Sequence, residues 1–304
     1  MKPKNINKIA NKSGLAFYIA VLSLPVLQFC IFYIGVNIKS VLMSFQVFDG
    51  NDFVWSGFNN FVKIYEDFVS SDLLLTSLKN TLIVFGLTLI VEIVSVFFSF
   101  YIYKGYALSN FFKFVLFFPS IVSGVVLGII YLNISDIVIP EIVFDISGKE
   151  IVGLLGQIKT RFAGNVIFWV LFYFGMRILI YTGNMSGISD SVVEAAKLDG
   201  VTPVDELFKI TLPLIFPSVT SFLVFAVAGI MVNSIGTYSL YGINAPNNVY
   251  TIGYFLANKT MMTTGLRDGY PYLAAFGILV SCVTIPIVLL TRRIVDKIND
   301  KIDV

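Results

Sequence analysis

Glu92 and Arg177 are ionisable residues set inside long apolar runs of this 304-residue chain, where a charge can meet a polar solute, relay an ion or neutralise another charge. Both sit in patterned surroundings. Thr88, Glu92, Ser95 and Ser99 fall at i, i+4, i+7 and i+11, so on a helix they form one stripe. Trp169, Tyr173 and Arg177 would share a face that presents two aromatic rings above a cation, and Ala226, Gly229 and Asn233 align likewise. Tyr173, Asn233, Trp169, Arg177, Gly229 and Glu92 are therefore candidates for a solute path. The competing reading is packing, in which small residues and hydroxyls join helices and Glu92 pairs with Arg177. Covalent catalysis has little to work with. There is no histidine, which removes Ser-His, Cys-His and His-metal constellations, and Cys30 and Cys282 lie in apolar runs and read as small buried hydrophobes.

A second constellation runs from Ser191 to Pro213 and encodes two short helices. Ser191 and Glu194 have the spacing of a capping box, which predicts a helix start there. Gly200 can take the left-handed conformation that ends it, and Thr202 followed by Pro203 supplies a new N-cap and a first-turn proline. The second helix is expected to reach about Ile210, with Pro213 opening the next apolar stretch and Pro217 able to kink it. Ala195 and Ala196 would let another surface come close, while Val193, Leu198, Leu207 and Phe208 offer apolar anchoring. Such an elbow could transmit motion or could simply be a helical connector lying on a membrane surface.

The elements that position these groups must live in lipid. Hydrophobic residues make up 57% of the chain and charged residues 13%, and a net charge of +2 gives no footing for nucleic acid. A hydrocarbon core of about 30 Å needs about 20 helical residues. Six apolar runs meet that need, near Leu15–Val36, Leu78–Tyr103, Phe111–Leu132, Val166–Tyr181, Leu214–Ile235 and Tyr272–Leu290. The expected fold is all-α, a polytopic membrane protein of six transmembrane helices forming one domain over 1–304. Six spans place both termini on one side. With the termini inside, twelve lysines and arginines lie there and eight outside, and Arg177 completes the 21. The positive-inside rule then makes 1–14, 185–213 and 291–304 cytoplasmic. The outer segments, roughly 45–77, 134–163 and 237–270, are long enough to be folded or partner-binding surface.

Glu194-Ala195-Ala196, three residues, Gly200, nine residues and then Ile210-Thr211-Leu212-Pro213 resembles the signature loop of permeases in binding-protein-dependent ABC importers. Asp199 and Phe208 fit its carbohydrate-type form. Trp55-Ser56-Gly57-Phe58-Asn59-Asn60-Phe61, Ser77-Leu78-Lys79-Asn80-Thr81, Pro119 and Tyr272-Leu273-Ala274-Ala275 are similar to the maltose- and glycerol-phosphate-type first permeases, whereas Tyr241 to Pro246 departs from their usual glycine-rich turn. The resemblance implies a type I importer permease in a bacterial plasma membrane. Its first short helix, with Glu194, Ala195, Ala196, Asp199, Gly200 and Phe208, would then be a coupling helix seated on a separate ATPase dimer. It also implies a second homologous permease, an extracellular solute-binding protein and a sugar substrate, for which aromatic platforms with Asn or Arg hydrogen-bonders would suit both hydroxyls and C–H faces. The chain has no phosphate-binding loop, so ATP and Mg are expected on the ATPase and no cofactor on this chain. The alternatives are a stand-alone secondary transporter or channel, with Glu92 and Arg177 as relay, or a membrane-embedded enzyme.

Overall fold

The structure is a computed structural model that describes residues 12–302; residues 1–11, most of the expected cytoplasmic N-terminus, and residues 303–304 lie outside it. Helix α1 (Lys12–Gln28) passes through a π-helical turn (Phe29–Gly35) into α2 (Val36–Ser44). Strands β1 (Gln46–Phe48) and β2 (Phe53–Trp55) pair antiparallel with Val47 opposite Val54. Then come α3 (Asn59–Ser70), α4 (Asp72–Tyr103), α5 (Ser109–Ile121) and α6 (Gly124–Asn133), which continues through a π-helical turn (Ile134–Val138) into α7 (Ile139–Ser147). After α8 (Ile158–Met185) and α9 (Asp190–Leu198), α10 (Pro203–Glu206) runs through a third π-helical turn (Leu207–Thr211) into α11 (Leu212–Ala228). The chain closes with α12 (Thr237–Tyr241), α13 (Ile252–Met262) and α14 (Tyr270–Ile302).

Six of these helical stretches among the described residues are long and apolar enough to cross a membrane: Phe17–Ser44, Asp72–Tyr103, Gly124–Ser147, Ile158–Met185, Pro203–Ala228 and Tyr270–Asn299. Number and order match the sequence reading, but the boundaries do not: the fourth span starts early, at Ile158, the sixth ends late, at Asn299, and three others differ for a physical reason. The first helix continues eight residues past Val36, because nothing in Asn37 to Ser44 breaks it. The third run is cut at Val122–Ser123, just after α5, which contains Pro119, ends at Ile121, so the long helix starts at Gly124 and takes in half of the expected outer loop. The fifth helix starts early, at Pro203, and stops early, at Ala228. Cys30 and Cys282 are unpaired, yet both are exposed on their helices rather than buried.

The chain divides into two units. The first comprises 1–65 and 265–278. In it Asn60 donates from one amide to the Ser44 and Gln46 carbonyls at 2.8 and 2.7 Å, tying the start of α3 to the hairpin. Phe45 packs on Trp55, Phe58 and Phe61 with ring centroids 5.4 to 5.5 Å away.

The second unit, 66–264 and 279–304, is built on α4, α8 and α11. Helix α4 inverts the pattern of a soluble helix. Its Ser77, Thr81, Thr88, Glu92, Ser95 and Ser99 are buried, while Leu82, Ile90, Ile93 and Phe97 face out, as expected where the outer solvent is hydrocarbon. Ser99 Oγ donates to Ser95 O at 2.6 Å and across to Ile178 O of α8 at 3.2 Å. Val96 and Phe100 of α4, Tyr181 and Met185 of α8, Leu207 of the third π-helical turn and Ile215 of α11 form an apolar cluster where the three helices meet the α9–α10 region.

Candidate functional site

Glu92 is 6% exposed and is held from α8 by three donors. The Tyr173 hydroxyl donates to Oε1 at 2.5 Å, the Tyr181 hydroxyl to Oε2 at 2.9 Å, and Arg177 Nε lies 2.9 Å from Oε1. Arg177 Nη2 also donates to the Tyr173 oxygen at 2.7 Å. Its guanidinium lies between two rings, 4.7 Å from the Tyr173 centroid and 4.3 Å from that of Phe222 on α11. Trp169 stacks on Tyr173 one turn further along, with centroids 4.9 Å apart. Residues four apart on a helix lie above one another, so Trp169, Tyr173, Arg177 and Tyr181 form one continuous edge of α8. The expected Glu92–Arg177 pair is thus present. A buried pair is tolerated only when its remaining hydrogen-bonding groups are satisfied, and the two tyrosines supply that.

Beside this network lies a cavity of about 250 Å³, lined by Val84, Phe85 and Thr88 of α4, Trp169, Tyr173 and Arg177 of α8, and Phe225, Ala226, Gly229, Ile230, Val232 and Asn233. Of the six solute-path candidates, five line it. Glu92 does not; it stands behind Tyr173 and Arg177. Of the α4 stripe only Thr88 reaches the cavity, while Ser95 and Ser99 are fully buried.

Helical alignment of Ala226, Gly229 and Asn233 does not hold, because α11 ends at Ala228 and the backbone turns through Gly229 to Gly236. Ile235 and Gly236 both have positive φ, 48° and 69°. A β-branched residue there is costly and holds only where its surroundings fix it. Ile235 is 1% exposed, packed with Val84 and Trp169. Asn233 still reaches the cavity, from a turn rather than a helix face: its Oδ1 accepts from the Ile235 N–H at 2.9 Å and its carbonyl from Thr251 Oγ1 at 2.7 Å. The turn is braced from behind by Gly253, where a Cβ would come within 2.4 Å of the Val232 carbonyl. Helix α4 grips the same region, with Asn80 donating to the Tyr250 carbonyl at 2.8 Å and the Ile252 N–H donating to Thr81 Oγ1 at 2.9 Å.

The α9–α10 segment forms the expected bend, with two corrections. The helix starts at Asp190 with Ser189 as N-cap, so Ser191 and Glu194 do not make a capping box; Ser191 Oγ instead meets Ser189 Oγ at 2.8 Å. At the other end Gly200 has φ +73°, its N–H donates to Lys197 O, and the Val201 N–H donates to Ala196 O, both at 3.1 Å. This pair of bonds is a Schellman stop. Thr202 Oγ1 then accepts from the Asp205 N–H at 3.2 Å and Pro203 opens the next helix. That helix does not end near Ile210; a π-helical turn carries it through Pro213 into α11. Glu194, Ala195, Asp199 and Gly200 are exposed and Leu198 is 89% exposed, whereas Ala196 is buried and Phe208, half exposed, sits 5.9 Å from the Phe97 ring.

Sequence reasoning missed Tyr181, although it continues the four-residue spacing of Trp169, Tyr173 and Arg177. It missed Phe222, Phe225 and Val84, which apolar surroundings hide, and Thr251 and Gly253, whose role depends on a fold-back no local pattern announces.

Comparison with known proteins adds to this geometry. The chain is 27% identical over 286 residues to the probable ABC transporter permease protein YesP of Bacillus subtilis (strain 168), covering 86% of this chain and 88% of that one. It is 24% identical over 303 residues to the polygalacturonan/rhamnogalacturonan transport system permease protein YteP of the same organism, covering 92% and 89%. Among solved structures, a bacterial ABC transporter involved in the import of the acidic polysaccharide alginate superposes with a TM-score of 0.77 at 21% identity, covering 94% of this chain and 97% of that one. Residues 93–304, which include α8, the cavity turn and the elbow, match the family model, and the chain belongs to the family of binding-protein-dependent transport system inner membrane components.

Proposed function

We propose that the chain is one of two permease subunits of an ATP-driven importer, carrying a sugar or oligosaccharide received from an extracellular solute-binding protein. Hydrolysis of ATP, with its Mg, takes place on a separate ATPase dimer. Both termini and the 185–213 segment face the cytoplasm, in keeping with the lysine and arginine distribution. The observation that carries the reading is the elbow: α9 projects Glu194 and Leu198 outward, ends on a Schellman stop at Gly200, and turns into a helix unbroken from Pro203 to Ala228. A load on α9 is thereby delivered to the wall of the cavity.

That cavity suits a sugar. Trp169 stacked on Tyr173 gives a flat apolar platform, while Arg177 and the Asn233 amide give hydrogen-bonding ends. The named sugar-polymer permease among its relatives supports the same class. A proton-relay reading is disfavoured by Glu92, whose carboxylate is engaged by two tyrosines and an arginine and lies off the cavity. Alternating access follows: the ATPase pair closes, α9 moves with it, and the spans switch from inward to outward opening.

The test is substrate-stimulated ATP hydrolysis in the reconstituted complex with Glu194→Ala or Gly200→Val. Loss of stimulation by tenfold or more, about 1.4 kcal/mol of coupling, is expected. Unchanged stimulation, or a cysteine at Leu198 that reacts only from outside intact cells, would remove the assigned role.

A further inference from the structure

We propose that the ion pair between Lys104 and Glu206 is the joint through which the elbow moves α4, so that both walls of the cavity shift together. This rests on the reading of α9 as the force-receiving helix. Lys104 Nζ lies 2.8 and 2.7 Å from the two Glu206 carboxylate oxygens, although the residues are 102 apart in the chain. The side chains are 15% and 7% exposed, so water does little to screen them. Lys104 sits at the C-terminal end of α4, where the helix carbonyls favour a cation, and its ammonium is 5.9 Å from both the Phe100 and Tyr103 ring centroids. Glu206 is the last residue of α10, one turn beyond the Thr202 cap.

Burying two charges here is not explained by stability, since a well-packed apolar pair commonly does as well. An ion pair adds direction and a fixed partner. Motion of the elbow reaches α11 through continuous helix, carrying Phe225 and Ala226 of the cavity wall. No such covalent route leads to Val84, Phe85 and Thr88 on α4. The Lys104–Glu206 ion pair supplies a non-covalent one. Helix α4 is a single element of 32 residues, and twelve residues back from Lys104, about 18 Å along the axis, Glu92 is bonded to α8. A displacement entering at Glu206 is therefore passed to α4 at its end and shared with α8 along its length. Lys104 and Glu206 touch no solute; they are positioning residues.

The experiment uses the assembled transporter with Cys30→Ser and Cys282→Ser, carrying a reporter cysteine at Thr88 on α4 or at Ala226 on α11. The rate of labelling by a water-soluble maleimide is compared without nucleotide and with Mg-ATP and vanadate. In the parent both reporters are expected to change rate by about tenfold or more. With Lys104→Met or Glu206→Gln the Thr88 reporter loses that response and the Ala226 reporter keeps it. The exchange Lys104→Glu with Glu206→Lys restores it, which separates a directional joint from a merely structural contact. Single variants in which both reporters still respond, or an exchange that restores neither assembly nor the Thr88 response, overturn the joint and leave the reading of α9 intact. Reporters that both ignore nucleotide in the parent overturn the α9 reading and the joint with it.

Discussion

Tyr173, Tyr181 and Arg177 all converge on the Glu92 carboxylate, which makes that residue a clasp between α4 and α8 and leaves Arg177 and Tyr173 to face the cavity. Removing one partner of such a buried pair leaves the other uncompensated, at about 3–5 kcal/mol, whereas replacing both with apolar residues of similar volume is often neutral. Arg177→Ala is accordingly expected to destabilise the detergent-solubilised protein by about 3–5 kcal/mol, while Glu92→Leu combined with Arg177→Met, Tyr173→Phe and Tyr181→Phe, which leaves no buried hydroxyl without its acceptor, loses much less; thermal unfolding of the three proteins side by side checks this. Transport separates the two roles, since the combined variant should fold yet carry solute poorly. The charges themselves were legible in the sequence because a charge in an apolar run stands out. Which of them lines the cavity was not, because Glu92 and Arg177 are equally conspicuous and only the fold puts Tyr173 between Glu92 and the open space.

Elements that punctuate themselves chemically were read well. The Gly200 stop and the Thr202-Pro203 start need particular residue types, so the sequence declares them. Ser191 and Glu194 show the limit of spacing as a guide: Ser189 takes the cap two residues earlier, and the three-residue spacing from Ser191 to Glu194 then falls inside the helix. The end of α11 was illegible for a different reason. Gly229 to Val232 continues the apolar run of the helix before it, and the turn is held by Thr251 and Gly253 from a distant stretch. A methyl group at Gly253 has no space against the Val232 carbonyl, and that carbonyl belongs to the backbone, which cannot swing aside. Gly253→Ala should therefore push the Val232–Asn233 turn into or away from the cavity. The expected outcome is a fall in import of about tenfold or more with normal co-purification of the complex, read by uptake in membrane vesicles. A variant that imports normally would show that the turn is not part of the path.

At the scale of the molecule, the outer surface reads as a protein that is incomplete on its own. Leu82, Ile90, Ile93 and Phe97 along α4 can be covered by lipid, but Leu198 on α9 lies on the elbow, 89% exposed and flanked by the charges of Lys197 and Asp199. A bare leucine among ions is ordinary when isolated. Here it sits on the one helix that the proposed function gives to another subunit, so its cover arrives only with that subunit. Composition foretold the six spans and their order, since lipid demands length and apolarity from every crossing; it could not foretell which faces wait for partners.

Leu198 then has a meaning for cell economy as well as for mechanics. On the proposed reading, a copy synthesised without its ATPase would display a greasy flag to the proteases and chaperones of the cytoplasmic side, and surplus copies would be removed. Leu198→Ser should lengthen the half-life of the orphan chain in pulse-chase measurements and leave that of the assembled one alone.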